Sequence, residues 1–173
     1  MKASISTIWS RMECSDGTRA EAPAFPYDPC DLRGTAMSEA DTKALIGRYL
    51  DAFNASDWDA MLACLHEDVA HDVNEGGREI GKEKFRWFNA EMARHYDERL
   101  ADIAIMVGEG GGRAAAEFTV HGTYKATAEG LPKASGQTYT LPAGIFFEID
   151  DGLISRVTTY YNLKDWIAQV EKG

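Results

Sequence analysis

Apolar residues recur at helical spacing soon after Met37. Leu45, Tyr49 and Ala52 or Phe53 form one stripe, and Trp58, Met61, Leu62 and Leu65 form a second. The pattern predicts an amphipathic helix, a turn and a short second helix. Ser38 with Asp41 has the form of a cap for the first helix. Ser56 with Asp59 has the form of a capping box for the second. Val69 to Asn74 reads as a strand, and Glu75-Gly76-Gly77 as a turn. A third helix is predicted over Lys82 to Arg99, with Phe85, Phe88, Met92 and Tyr96 on one stripe. Beyond it the period changes. Strands are predicted over Leu100 to Val107 and Arg113 to Tyr124, joined as a hairpin by the glycine cluster Gly108 to Gly112. After a longer connection, Thr127 to Gly136, come strands Gln137 to Ile149 and Leu153 to Asn162 around the tight turn Asp150-Asp151-Gly152. Asn162 with Asp165 caps a closing helix, Leu163 to Val170.

Helices followed by long antiparallel strands define an α+β fold. The expected form is cone-like, with three helices packed on a curved antiparallel or mixed sheet and a short C-terminal helix. Such helices cannot cover both faces of the sheet. Ile145 and Phe147 are apolar on one strand face and Phe146 on the other, so a second copy is expected against the far face, making a homodimer. Residues 1–36 carry Pro23, Pro26 and Pro29 and no sustained periodicity. They are expected to be a disordered tail or a mis-assigned start, with a single domain over 37–173.

Charge and cysteine content narrow the partners. A net charge of −10 without any Lys/Arg run disfavours nucleic acid and anionic membrane surfaces. No apolar run reaches the roughly 20 residues that cross a bilayer. The cysteines (Cys14, Cys30, Cys64) lack metal-ligand spacing, as do the histidines, so no metal site is expected. An odd number of thiols with Cys64 on an apolar helix side fits a reducing, cytoplasmic compartment. The glycine cluster leads into no helix and is not a phosphate cradle. Trp58 and Trp87 are expected to pack rather than to form ligand platforms. These features exclude partners without naming one.

The polar residues that could carry chemistry are few. Tyr49 brings a phenol into an otherwise apolar stripe, where it needs a polar partner. His71 shares strand parity with Val69 and Val73, and His121 with Glu117 and Thr119. Histidine is the side chain that titrates near neutral pH, so His71 and His121 with Tyr49 could relay protons.

The order helix–helix–strand–helix–hairpin–hairpin resembles the nuclear transport factor 2-like superfamily, which includes ketosteroid isomerase, scytalone dehydratase and the SnoaL-like polyketide cyclases. The resemblance covers almost all of residues 38–172. It is carried by RYLDAFNASD (Arg48 to Asp57), by HDVNEGG (His71 to Gly77) and by the run from Val120 to Asn162 with its G-L-P loop and acidic D-G turn. A ketosteroid isomerase-related, SnoaL-like branch is the closest fit.

The resemblance implies a cone-shaped apolar cavity and cofactor-free proton transfer on a hydrophobic oxygenated substrate, by isomerisation, dehydration or cyclisation. Tyr49 falls on the isomerase's oxyanion-holding tyrosine. Counting without gaps from Asp57, the base position falls on Val73, with Asp72 one residue earlier. A one-residue step turns a strand side chain to the opposite face, so Asp72 serves only after a register shift. The isomerase's second acid, a carboxyl kept neutral by its apolar site, falls near Ile145. The cyclases' H-W-D element falls on Val157, Thr158 and Thr159. The implied catalytic set is Tyr49, His71 and Asp72, and the implied substrate contacts are Val73, His121, Ile145, Phe147, Val157, Thr159 and Tyr161. The alternative is a non-catalytic ligand-binding or dimeric interaction module of the same fold.

Overall fold

The computed structural model describes residues 37–74 and 76–172. The expectation for residues 1–36 lies outside them. The chain runs α1 (Glu39–Asn54), α2 (Trp58–Ala63), β1 (Leu65–Asp72), β2 (Arg78–Ile80), α3 (Lys82–His95), β3 (Tyr96–Val107), β4 (Arg113–Tyr124), β5 (Thr138–Asp150), β6 (Leu153–Tyr161) and α4 (Leu163–Val170). The α+β class follows the sequence pattern. Among the described residues, no helix is long and apolar enough to cross a membrane.

Local chemistry sets the helix ends. Ser38 Oγ accepts the Asp41 N–H at 3.1 Å, and Asn162 Oδ1 accepts the Asp165 N–H at 3.2 Å. The α1–α2 junction differs from expectation. Ser56 sits at φ +53°, its N–H donating to Phe53 O and the Asp57 N–H to Ala52 O, both at 2.9 Å. This is a Schellman arrangement, so Ser56 closes α1 instead of opening α2. The cap of α2 is Asp57, whose carboxylate accepts the Ala60 N–H at 3.0 Å.

Two further boundaries move. Helix α3 stops at His95, and Tyr96–Arg99 belong to β3, paired with Tyr124–His121 of β4. Tyr96 fits both the helical stripe and a strand alternation with Leu100. The strand wins because its ring stacks on that of Tyr124, with centroids 5.4 Å apart and planes inclined by 18°. At the other end of the sheet, β1 begins at Leu65 and gains a three-residue partner, β2, which has too few residues to show a period.

One sheet holds all six strands in the order β2-β1-β6-β5-β4-β3, antiparallel except for the parallel pair β1–β6. Alternation sorts its side chains cleanly. Phe118 and Val120 of β4, Leu141, Ile145 and Phe147 of β5, and Val157 of β6 are buried on the inner face, with the helices. The pairings Gly122 with Glu98 and Gly122 with Tyr139 place one residue from each of β3, β4 and β5 in a single row. A Cβ at Gly122 would land inside the Tyr139 ring, so the glycine leaves the gap through which that ring crosses β4. A bulge between Ala101 and Ala104, with Asp102 at φ +54°, bends β3. Asn54, in the last turn of α1, braces the strand just before it. Its amide donates to Leu100 O at 3.0 Å and its carbonyl accepts the Leu100 N–H at 2.7 Å.

The outer face is different in kind. Asp72 is held by Arg78 at 2.6 Å, by the Thr158 hydroxyl at 2.8 Å and by Arg156 at 3.5 Å. Arg156 continues to Glu148 at 3.2 Å, and Glu148 to Arg113 at 2.7 Å. Beside this charged row stand exposed apolar groups: Phe146, Tyr160 and Met106, the first two in edge contact at 5.8 Å. Trp58 packs edge-on against Phe53, but Trp87 is exposed on α3 because it lies away from the Phe85 stripe.

Replacing Asn54 with Ala should lower the stability measured by urea unfolding by about 1–3 kcal/mol, since two Leu100 backbone groups lose their partners. The outer row predicts an acid response. The hydrogen bond from Arg78, foremost, holds Asp72 well below the usual carboxylate range. A depressed folded-state value means its contribution is complete above the unfolded value of about 3.9 and is lost as pH falls through the folded one. An Asp72→Asn variant should therefore unfold at lower urea than the parent at neutral pH, and the two midpoints should converge only below about pH 4.

Candidate functional site

The inner face and the helices do not fill the space between them. They leave a cavity of about 310 Å³, within the range of small-molecule sites. Its walls are mostly apolar, with Leu100 and Phe118 from the sheet and Phe85, Phe88 and Met92 from α3. No lysine or arginine lines it among the described residues. Its polar groups are Tyr49, His71, Asn74, Asn89, Tyr96, Glu98, Thr159, Tyr161 and the indole N–H of Trp166.

His71 projects inward from β1, opposite Val157 of β6. Its ring lies 4.7 Å from that of Phe85 and 4.5 Å from that of Phe88, and its Nδ1 has no hydrogen-bond partner. Burial lowers its pKa, and Glu79 and Asp72 offset this only in part. The imidazole is thus neutral near pH 7 and able to accept a proton. The side-chain nitrogens of Asn74 and Asn89 are likewise buried without partners.

Tyr49 reaches the cavity from α1, its ring edge-on to Phe147 with centroids 5.5 Å apart. Burial, with a smaller contribution from Cys64, pushes its pKa far above the ordinary phenol value. The hydroxyl therefore keeps its proton and serves as a donor. Cys64 is itself a free, buried thiol.

Glu98 lies on the far side, projecting inward from β3. It accepts the Tyr139 hydroxyl hydrogen bond at 2.5 Å. Burial raises its pKa, which this bond partly counters. The phenol of Tyr139 is raised strongly by its own burial and by the carboxyl beside it. Among the described residues, no group of three His, Cys, Asp or Glu side chains is placed to hold a metal ion.

The structure brings Tyr49, His71, Val73, Ile145, Val157, Thr159 and Tyr161 to this one space. Three expected residues are elsewhere, and each is a correction. Asp72 pairs with Thr158 on the outer face and is tied to arginines there, because no bulge turns it inward between Ala70 and Asp72. His121 is exposed beside Thr140, with its ring nitrogen 3.3 Å from the hydroxyl, since Val120 and Gly122 take the inward parity of β4. Phe147 is buried behind the wall, against Tyr49.

Glu98, Asn74 and Asn89 went unforeseen. Reading 96–99 as helix hid the alternation Tyr96-Glu98-Leu100, which would have placed Glu98 inward. Asn89 follows Phe85 by one helical turn, so its position on the stripe was legible, although its lack of a partner was not.

The SnoaL-like domain model matches residues 46–157. A solved structure of a candidate polyketide cyclase from Silicibacter is 61% identical, with a TM-score of 0.74, covering 75% of this chain and 95% of that one. Its counterpart from Pseudomonas putida is 58% identical, with a TM-score of 0.73, covering 75% and 97%. A candidate ketosteroid isomerase from Kribbella flavida is more distant, at 25% identity and a TM-score of 0.52, covering 71% and 78%. No curated protein matches the chain. The chain belongs to the SnoaL-like domain family, within the nuclear transport factor 2-like superfamily.

Proposed function

We propose that the cavity binds an apolar, oxygen-bearing cyclic molecule and that His71 and Tyr49 move protons on it without a cofactor. The observation that carries this reading is the His71 ring: buried between Phe85 and Phe88, kept neutral and lining the cavity. A neutral imidazole in an apolar setting is suited to take a proton from a carbon next to a carbonyl. Negative charge then moves onto the carbonyl oxygen, where the Tyr49 phenol donates a hydrogen bond. Return of the proton to another carbon gives isomerisation. Attack of the enolate carbon on a second carbonyl gives ring closure, and loss of a neighbouring hydroxyl as water gives dehydration. The identity shared with candidate polyketide cyclases supports small-molecule chemistry of this kind.

The second reading is a binding module that performs no chemistry. It is favoured by one observation: the first-strand carboxylate, Asp72, is committed to arginines on the outer face, and Val73 and Ile145 stand where the isomerase resemblance would have acids. The two readings part in a turnover screen of cyclic enones and linear polyketones. Under the first, His71→Ala and Tyr49→Phe each lower kcat by roughly 10²–10⁴-fold, with unfolding midpoints close to the parent's. Absence of turnover for every compound that binds the cavity favours the second.

The homodimer belongs to the same reading. The exposed Phe146, Tyr160 and Met106, with charges of both signs beside them, form a self-complementary surface for a second copy. Light scattering should give twice the chain mass for the parent, and a Phe146→Asp/Tyr160→Asp variant should run as a monomer. A monomeric parent at micromolar concentration rejects the dimer. The buried free thiol Cys64 supports a reducing, cytoplasmic setting.

A further inference from the structure

Glu98 takes no part in the proton transfer just described, yet the fold makes special provision for it. The Tyr139 ring crosses an entire strand to reach the carboxyl, and it can do so only because position 122 is glycine. Two residues on two neighbouring strands, Gly122 and Tyr139, are thus committed to orienting one side chain on the cavity wall. A purely structural acid would be simpler to exchange for an apolar residue, since a buried carboxyl costs free energy and no cation among the described residues offsets it.

The sheet order gives this carboxyl a place relative to His71. Strands β6, β5 and β4 stand between β1 and β3, so His71 and Glu98 occupy opposite walls of one cavity. Between them the lining is mostly apolar, with Phe118, Leu141 and Ile145, while β6 adds Thr159 and Tyr161. We infer that Glu98 is a second binding group for ligand oxygen, positioned by Tyr139 across Gly122, and that the cavity takes an extended, uncharged hydrophobic molecule bearing oxygen at both ends. One oxygen is held at the His71 end and the other at Glu98.

The direction of the hydrogen bonds is consistent with this use. Tyr139 donates to Oε1, so a proton carried by Glu98 resides on the other oxygen. The raised pKa favours that neutral form, in which the carboxyl both donates and accepts and so matches a hydroxyl or a carbonyl. The absence of lysine and arginine among the described lining residues disfavours an anionic ligand.

This inference rests on the cavity being a site for oxygenated apolar molecules, and the test separates the two ideas. The probes are a dihydroxyanthracene with hydroxyls at opposite ends and its monohydroxy analogue, titrated by fluorescence into the full chain. The parent should bind the dihydroxy compound roughly tenfold more tightly, the effect of one added buried hydrogen bond. Glu98→Leu and Tyr139→Phe should bring the two affinities together, leaving the monohydroxy value within about twofold of the parent's. Glu98→Gln, which keeps a donor and an acceptor, should retain most of the preference. Loss of packing alone would weaken both probes alike, so the ratio reports positioning. Equal affinities in the parent, or a preference that survives Tyr139→Phe and Glu98→Leu, overturns the two-ended site while leaving the cavity reading intact. Failure of the parent to bind either compound overturns both.

Discussion

A strand side chain cannot change face without a bulge, and the chemistry of this cavity follows from that rule. His71 looks inward and Asp72 outward because they are neighbours on β1. Val120 looks inward and His121 outward for the same reason on β4. Glu98 enters the cavity because it shares parity with Leu100, and Tyr139 meets it because both lie in register with Gly122. The bulge at Asp102 comes after this part of β3 and leaves its parity untouched.

The two faces of the sheet have consequently become two electrostatic environments. Outside, carboxylates and guanidinium groups form a continuous row in which each charge has an opposite neighbour and solvent is near. Inside, every resolved shift disfavours charge: the imidazole is held neutral, and the phenols and the carboxyl are pushed toward their protonated forms. Groups in such a state give and accept hydrogen bonds without carrying charge, whereas an ion formed or entering there would be poorly solvated. The sheet is the boundary between these environments, and the one-residue step from His71 to Asp72 crosses it.

Much of the fold was legible because long strands and amphipathic helices repeat their signal many times. The last three strands and both serine- and asparagine-capped helix starts needed nothing else. What failed was short or doubly encoded. Ser56 carried a cap signature, but the Schellman bonds of α1 claimed its backbone first. Tyr96 fitted two periods, and only its stacking on Tyr124, nearly thirty residues away, decides between them. Strand β2 is three residues long and acquires its structure from β1. The site followed the same division. Tyr49 was found by its place in a repeated stripe and His71 by parity. Glu98 is hidden in the sequence because its parity depends on where α3 ends, and its partner Tyr139 because the contact passes over a third strand.

One feature of the topology bears on how the cavity comes to exist. Among the described residues, strand β1 has only the three residues of β2 on one side, and on the other it pairs in parallel with β6, where Asp72 and Thr158 are separated by 86 residues. Closing so long a loop is entropically costly and slow compared with zipping the β3–β4 and β5–β6 hairpins. During synthesis, the wall bearing His71 has no long neighbour until β6 has emerged. The wall bearing Glu98 needs β3, β4 and β5 only. Completion of the His71 wall thus depends on the last-made strand of the sheet, whereas the Glu98 wall draws on strands close together in the chain.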